Sequence, residues 1–471
     1  IRLMKIFNSP SEFSELFERA RSETQWNNIR TYLNILGEYS TYMTEDQKSM
    51  TLRFMYDMLF NRESDIREQA AQIMGQIVAR FREEYKKELP KSVPVRDTDT
   101  TNLAQFTFYL DKLLKPSHNH AEFHRKRIVE GTPDFVNQVV RNCRPSCRSK
   151  YFDVLEAHYH VAELDEQTII VLCSTALGID KELMPESFLE NLMFFTKDIL
   201  GSYSVSADLL ALALIEKFFP DTGIDVETRR LNVMGIQADS DVTEALLASL
   251  FLDNLKAGTT WIVKLANIDY MFKLAKRGDS LMHIATHFAN LIKVSETIIV
   301  RKRAGRRLVE LADNMPREQL NELCIELFNG LELGDYQFIK FIPGYLPDEE
   351  LDEMIAGLET LLNTGNDKSA AASLNTVAVL LENYDNVSPD SSSTEEHKQK
   401  LLGLIVKFIS HYKTSISQEA LRVLGLRVLG SRKMSMESKH WVAVHGFKRL
   451  AAMIPLIGDD LGLEFYNNAA V

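Results

Sequence analysis

Ile66-Arg67-Glu68-Gln69-Ala70-Ala71-Gln72-Ile73-Met74 carries a β-branched residue, a small residue four positions on and a large apolar residue eight positions on. The same spacing recurs in Val300-Arg301-Lys302-Arg303-Ala304-Gly305-Arg306-Arg307-Leu308 and in Ile416-Ser417-Gln418-Glu419-Ala420-Leu421-Arg422-Val423-Leu424. On an α-helix, positions i, i+4 and i+8 form one stripe. Each copy therefore presents an apolar row with alanine at its centre, where a neighbouring helix must come close. Stacked helical hairpins look like this in sequence. The second and third copies start 116 residues apart, which is about three units of roughly 39, beside the roughly 40 to 47 of two-helix solenoid repeats.

Working outward, helical spacing predicts segments over 13–20, 29–39, 52–59, 66–81, 152–161, 186–200, 207–218, 243–255, 261–274, 281–291, 300–312, 317–331, 348–362, 369–382, 398–412 and 417–429. Strand signals are nearly absent. Short polar turns such as Asn61-Arg62-Glu63-Ser64-Asp65 and Asn363-Thr364-Gly365-Asn366-Asp367 join first to second helices, as antiparallel hairpins require. The reading is an all-α chain, an α-solenoid of stacked antiparallel helix pairs in a right-handed superhelix, with about nine to eleven pairs by unit length.

Ser64-Asp65-Ile66-Arg67 followed by Ala70-Ala71 resembles the second helix of a HEAT repeat. The resemblance implies a HEAT-like scaffold in which the Asp and Arg of successive repeats form a polar ladder beside the core. The first copy keeps both residues. The second keeps Arg301 but has Thr297, Ile298 and Ile299 before it, and the third has Ser417 at the Arg position, so a continuous ladder is not expected. The stretch from Gly330 to Pro343, Gly-Leu-Glu-Leu-Gly-Asp-Tyr-Gln-Phe-Ile-Lys-Phe-Ile-Pro, is similar to helical-repeat regions of large bacterial proteins that also carry nucleotidyltransferase-like or HD-type phosphohydrolase domains. That resemblance implies a regulatory or accessory segment of a multidomain enzyme as the alternative to a plain scaffold.

A chain of 471 residues exceeds one ordinary core, yet its composition shows no break into unrelated domains, a conflict that stacked repeats resolve. No apolar run approaches a membrane span, and four cysteines (Cys143, Cys147, Cys173, Cys324) are too few for a disulfide framework, which points to a soluble protein of the cytoplasm. The chain begins at Ile1 without Met or a signal peptide, which reads as a fragment of something longer. Two polar interruptions divide the expected organisation. Pro90 to Asn102 has Pro90, Pro94 and the run Asp97-Thr98-Asp99-Thr100-Thr101, and Asp385 to Glu396 has Pro389 and a serine run. The expected parts are N-terminal repeats over 1–90, an irregular connector over 91–150, repeats over 151–384, and C-terminal repeats with a cap over 397–471.

The connector region carries the sharpest chemical constellation. Five of eleven histidines, His118, His120, His124, His158 and His160, lie within 118–160 together with Cys143 and Cys147. His118, His120, His124, Cys143 and Cys147 are the candidate zinc ligands of a metal-binding module there. Against a metal, Cys143 and Cys147 enclose three residues including Pro145, and no Cys-x-x-Cys pair with a second ligand pair occurs. His283 and His287 form an i,i+4 pair without the intervening Glu of a zinc protease. The chain has no His-Asp dipeptide for HD-type chemistry, no glycine-rich phosphate loop and no Gly-x-Ser-x-Gly turn. No catalytic residue and no cofactor is expected in this segment.

Charge is concentrated. Between Leu308 and Leu402 there are 19 acidic and 5 basic residues, so the net charge of −12 belongs to one region. Immediately before it stand Arg301, Lys302, Arg303, Arg306 and Arg307, which would ring most of one helix. These five are the candidate partner-binding residues. Arg303 and Arg307, i and i+4, are expected to be exposed and to take an acidic protein segment; the competing expectation is neutralisation by carboxylates of the following repeat. Nucleic acid is disfavoured by overall acidity and by the lack of a basic stripe with interleaved aromatics. The sequence names neither the protein partner nor the oligomeric state.

Overall fold

The computed structural model describes residues 9–79, 97–115, 122–160, 164–201, 204–237, 241–295, 297–316, 318–320, 322–323, 348–364, 366–385, 392–432 and 434–457. Among them there is no strand, and the all-α class of stacked helix pairs holds. The chain forms two compact units, Ile1–Asp241 and Val242–Val471.

In the first unit the helices are α1 (Pro10–Ser22), α2 (Trp26–Glu38), α3 (Glu45–Met58), α4 (Ser64–Ala79), α5 (Asp97–Leu114), α6 (Glu122–Asn142), α7 (Arg148–Glu156), α8 (Glu166–Leu177), α9 (Glu186–Ile199), α10 (Val205–Phe218) and α11 (Val226–Val233). The even-numbered helices α2, α4, α6, α8 and α10 pack side by side in one layer. The odd-numbered α3, α5, α7 and α9 back them in the other. Caps fix several starts. Thr44 and Gln47 exchange side-chain and backbone hydrogen bonds at α3, and Asp165, Ser204 and Asp225 accept from the backbone N–H three residues on at α8, α10 and α11.

The second unit holds α12 (Glu244–Leu255), α13 (Trp261–Lys276), α14 (Leu281–Val294), α15 (Ile298–Ala312), α16 (Asp348–Thr364), α17 (Asp367–Asp385), α18 (Ser392–Phe408), α19 (Thr414–Arg422) and α20 (Met436–Ile457). A wider π-helical stretch, Val423–Leu429, continues α19. The helices α13 and α15 pack together, and α17 packs on α19 and its π extension.

All three copies of the opening motif lie on second helices of hairpins, α4, α15 and α19. Their apolar rows are buried: Ile66, Ala70 and Met74; Val300, Ala304 and Leu308; Ile416, Ala420 and Leu424. The position after the β-branched residue has a shared task. Arg67 Nη1 donates to the carbonyls of Asn61 and Arg62 at 2.9 and 3.0 Å, Arg301 Nε to Ile292 O at 2.9 Å, and Ser417 Oγ to Ile409 O at 2.5 Å. Arg301 and Ser417 reach back to carbonyls at the C-terminal end of the preceding helix, and Arg67 to two carbonyls of the turn that follows it, which satisfies groups the helix and turn leave unpaired. Ser417 therefore substitutes for arginine here. Arg67 also pairs with Glu130 of α6 at 2.8 Å.

The segment read as an irregular connector, 91–150, carries α5 and α6. The polar run Asp97 to Thr101 is the first turn of α5 because its polar groups find tertiary partners. Asp99 pairs with Arg144, both buried, and Asn102 accepts from the buried Lys48 on α3. On α6, Ile128, Val129, Phe135, Val136, Val139 and Val140 face the core. The helix continues through Pro133. The loop expected over 385–396 is shortened from its far side, since α18 begins at Ser392. Within 330–343, the stretch resembling bacterial repeat regions lies outside the described residues.

Candidate functional site

The cationic helix α15 is fixed by its buried row Val300, Ala304 and Leu308, which turns the intervening arginines toward its neighbours. Arg303 Nη1 lies 2.5 Å from Asp269 Oδ2, and Arg307 Nε lies 3.0 Å from Asp269 Oδ1. One carboxylate on α13 thus receives two guanidinium groups, one on each oxygen. Arg307 also stacks over the Phe272 ring at 4.5 Å and reaches Glu310 at 3.1 Å. Its side chain is 28% exposed and that of Arg303 34%.

The expectation of exposed Arg303 and Arg307 is corrected by this geometry. They are half-buried, and the carboxylate that takes them belongs to the preceding helix pair, not the following repeat. The physical reason is reach: a guanidinium on α15 adjoins α13 in the same layer. Arg301 is committed to a backbone carbonyl of α14. Lys302 is half-exposed, and Arg306 is exposed with no ion pair among the described residues.

Asp269 and Phe272 were not singled out in the sequence. The usable signal is separation, because Asp269 precedes Arg303 and Arg307 by 34 and 38 residues, close to one repeat. The same offset links Gln69 to Asn34 and Arg30, and Arg141 to Asp180. Polar contacts between neighbouring repeats recur at that distance along the chain.

The candidate metal ligands are not brought together among the described residues. His118 and His120 lie outside them, as does the side chain of His124. Cys143 and Cys147 are buried; Cys143 Sγ donates to Val140 O at 3.4 Å, and burial pushes its thiol up to about 11. Cys147 Sγ receives Arg144 Nη2 at 3.6 Å. His158 contacts Asp111 at 3.2 Å, with burial lowering its pKa. No group of three or more His, Cys, Asp or Glu residues among the described residues is placed to hold a metal ion.

The pair His283 and His287 is split by the helix that carries it. His283 is exposed, and His287 is buried against Phe251, ring centroids 4.3 Å apart. Asn254 Nδ2 lies 3.1 Å from His287 Nε2, and Asn267 Nδ2 donates to Asn254 Oδ1 at 3.2 Å. This chain of side chains ties α12, α13 and α14 together. Burial pushes the His287 pKa down to about 4, so the imidazole is neutral at pH 7.

No described helix is long and apolar enough to cross a membrane. No protein-family model matches the chain, and no curated protein matches it. Among solved structures, it is similar to one from "Structural Basis of Tubulin Recruitment and Assembly by Microtubule Polymerases with Tumor Overexpressed Gene (TOG) Domain Arrays", with 9% identity and a TM-score of 0.29 over 92% of this chain and 99% of that one. A superposition that loose carries no argument about what this chain binds.

Proposed function

We propose that this chain is a non-catalytic helical-repeat scaffold for a protein partner, and that the cationic helix α15, with Arg301, Lys302, Arg303, Arg306 and Arg307, takes an acidic segment of that partner. The observation that carries the reading is Arg306, exposed and without an ion pair among the described residues, beside two arginines that Asp269 and Glu310 already neutralise. Positive charge held in place by Asp269 and Phe272 is pre-oriented, which lowers the entropy lost when a carboxylate docks. A folded stack of repeats supplies such a surface without any catalytic group.

Arg306→Glu tests the reading, because that side chain is exposed and makes no ion pair among the described residues. The variant should bind a polyglutamate peptide several-fold more weakly than the wild type, with a flatter salt dependence and an unchanged melting temperature. The double reversal Arg303→Glu, Arg307→Glu should also lose binding. It should in addition lower the melting temperature by several degrees, since Asp269 is then left facing two carboxylates. Unchanged polyglutamate affinity in Arg306→Glu would remove this face as the docking surface.

A further inference from the structure

Helix α12 is apolar on two opposite sides. Its inner face sets Leu247, Leu250 and Asn254 into the core. Its outer face carries Ala245, Ala248, Leu252 and Leu255, all exposed, with Leu252 at 58% and Leu255 at 48%. With 3.6 residues per turn these four lie within an arc of about 80°. A helix with apolar residues on two opposite sides ordinarily has both covered, and a contiguous exposed stripe of this kind marks an interaction surface.

What identifies the occupant is the order of residues along the stripe, which is complementary about position 250: small opposite large, acidic opposite basic. Ala245 and Leu255 stand five residues either side of it, Ala248 and Leu252 two either side, and Glu244 and Lys256 six either side. When two identical helices cross antiparallel at that point, a two-fold axis sets each residue opposite its mirror position on the other copy. Every leucine then meets an alanine, large into small, which is how ridges fill grooves. Both exposed Glu244 carboxylates meet Lys256 ammonium groups, and the helix dipoles oppose one another. A parallel arrangement would set Leu252 on Leu252 and Glu244 on Glu244.

We infer that α12 is a self-association surface, on which a second copy of this chain packs its own α12 antiparallel across Ala245, Ala248, Leu252 and Leu255, with Glu244–Lys256 ion pairs at both ends. The present contact of Lys256 with Asp253, 3.4 Å and well exposed, holds the ammonium only weakly. A single helix stripe is a small interface, so association belongs in the micromolar range.

Sedimentation equilibrium of the full chain is the test. The wild type should pass from monomer to dimer between about 1 and 100 μM. Leu252→Glu should leave monomer throughout, with unchanged helicity because the side chain is on the outer face. Glu244→Lys and Lys256→Glu should each weaken the dimer by about tenfold or more, since each places like charges together at both ends. The double variant should recover to within about threefold of the wild type, because both pairs re-form with signs exchanged. Loss of helix-terminus complementarity alone would instead make the double variant worse than either single one. A wild type that stays monomeric, a dimer that survives Leu252→Glu, or a double variant no better than the singles would overturn the proposal. A stripe reserved for a different protein's helix gives the first of these results.

Discussion

Replacing Gly75 with alanine should destabilise the protein, although alanine is the better helix former. In α4 a Cβ at this position would lie 2.6 Å from Phe135 O and 2.6 Å from the Cβ of Gln138, against 3.4–4 Å for an ordinary contact. Both opposing atoms belong to α6 or are fixed to its backbone, so no rotamer change relieves them, and α4 and α6 must part by about an ångström. Overpacking of this kind costs roughly 1 to 3 kcal/mol, while the Gly-to-Ala gain within a helix is about 1 kcal/mol or less. The net expectation is a loss of up to about 2 kcal/mol, which is a fall of up to about 8 °C for a unit of this size. Gly403 of α18 is the control, since a Cβ there meets nothing within 4 Å. Gly403→Ala should stabilise by about 0.5 to 1 kcal/mol. Urea denaturation followed by circular dichroism, with hydrogen exchange to assign each transition to its unit, reads both variants. If Gly75→Ala stabilises as much as Gly403→Ala, the close approach of α4 to α6 is wrong.

Two further expectations concern buried polar groups. His287 should make stability depend on acid. Its folded pKa of about 4 lies below the ordinary 6.5, so the unfolded chain binds the proton more readily. The neutral-imidazole contribution is then complete above pH 6.5 and is lost as pH falls toward 4, by roughly 3 kcal/mol in all. As the pH falls between those values, the wild type should lose roughly 3 kcal/mol relative to His287→Met in denaturant unfolding; parallel curves would show that His287 is accessible to water. Asp99→Ala leaves Arg144 buried opposite an apolar side chain and should cost about 3 to 5 kcal/mol. Arg141→Ala, at the exposed 2.8 Å pair with Asp180, should cost under about 1 kcal/mol. Equal losses at the two sites would show that Asp99 and Arg144 are hydrated.

Much of the architecture was legible in the chain itself because helical periodicity is a local property. The spacing of Ile66, Ala70 and Met74 needs only one helix to be read, and in all three copies the row it predicts is buried. The same local logic failed at 97–101, where a run of Asp and Thr looks like a loop until Arg144 and Lys48 are in place around Asp99 and Asn102. It failed again at α15. Five clustered cations are visible in sequence, but whether they face solvent depends on Asp269, more than thirty residues away, and on the Phe272 ring beneath Arg307.

Fold class and the apolar rows that build it follow from the sequence by itself, since burial of one stripe is demanded of every helix that cannot be stable alone. Tertiary structure decided which polar groups are satisfied. Arg303 and Arg307 became half-buried partners of one carboxylate, His287 became a neutral core side chain, and Ser417 took over the carbonyl that arginine serves elsewhere. The difference has one physical origin. Hydrophobic burial is set by the side chain's own surface, whereas the energy of a charge or hydrogen-bonding group depends on what the fold brings within about 3 Å of it.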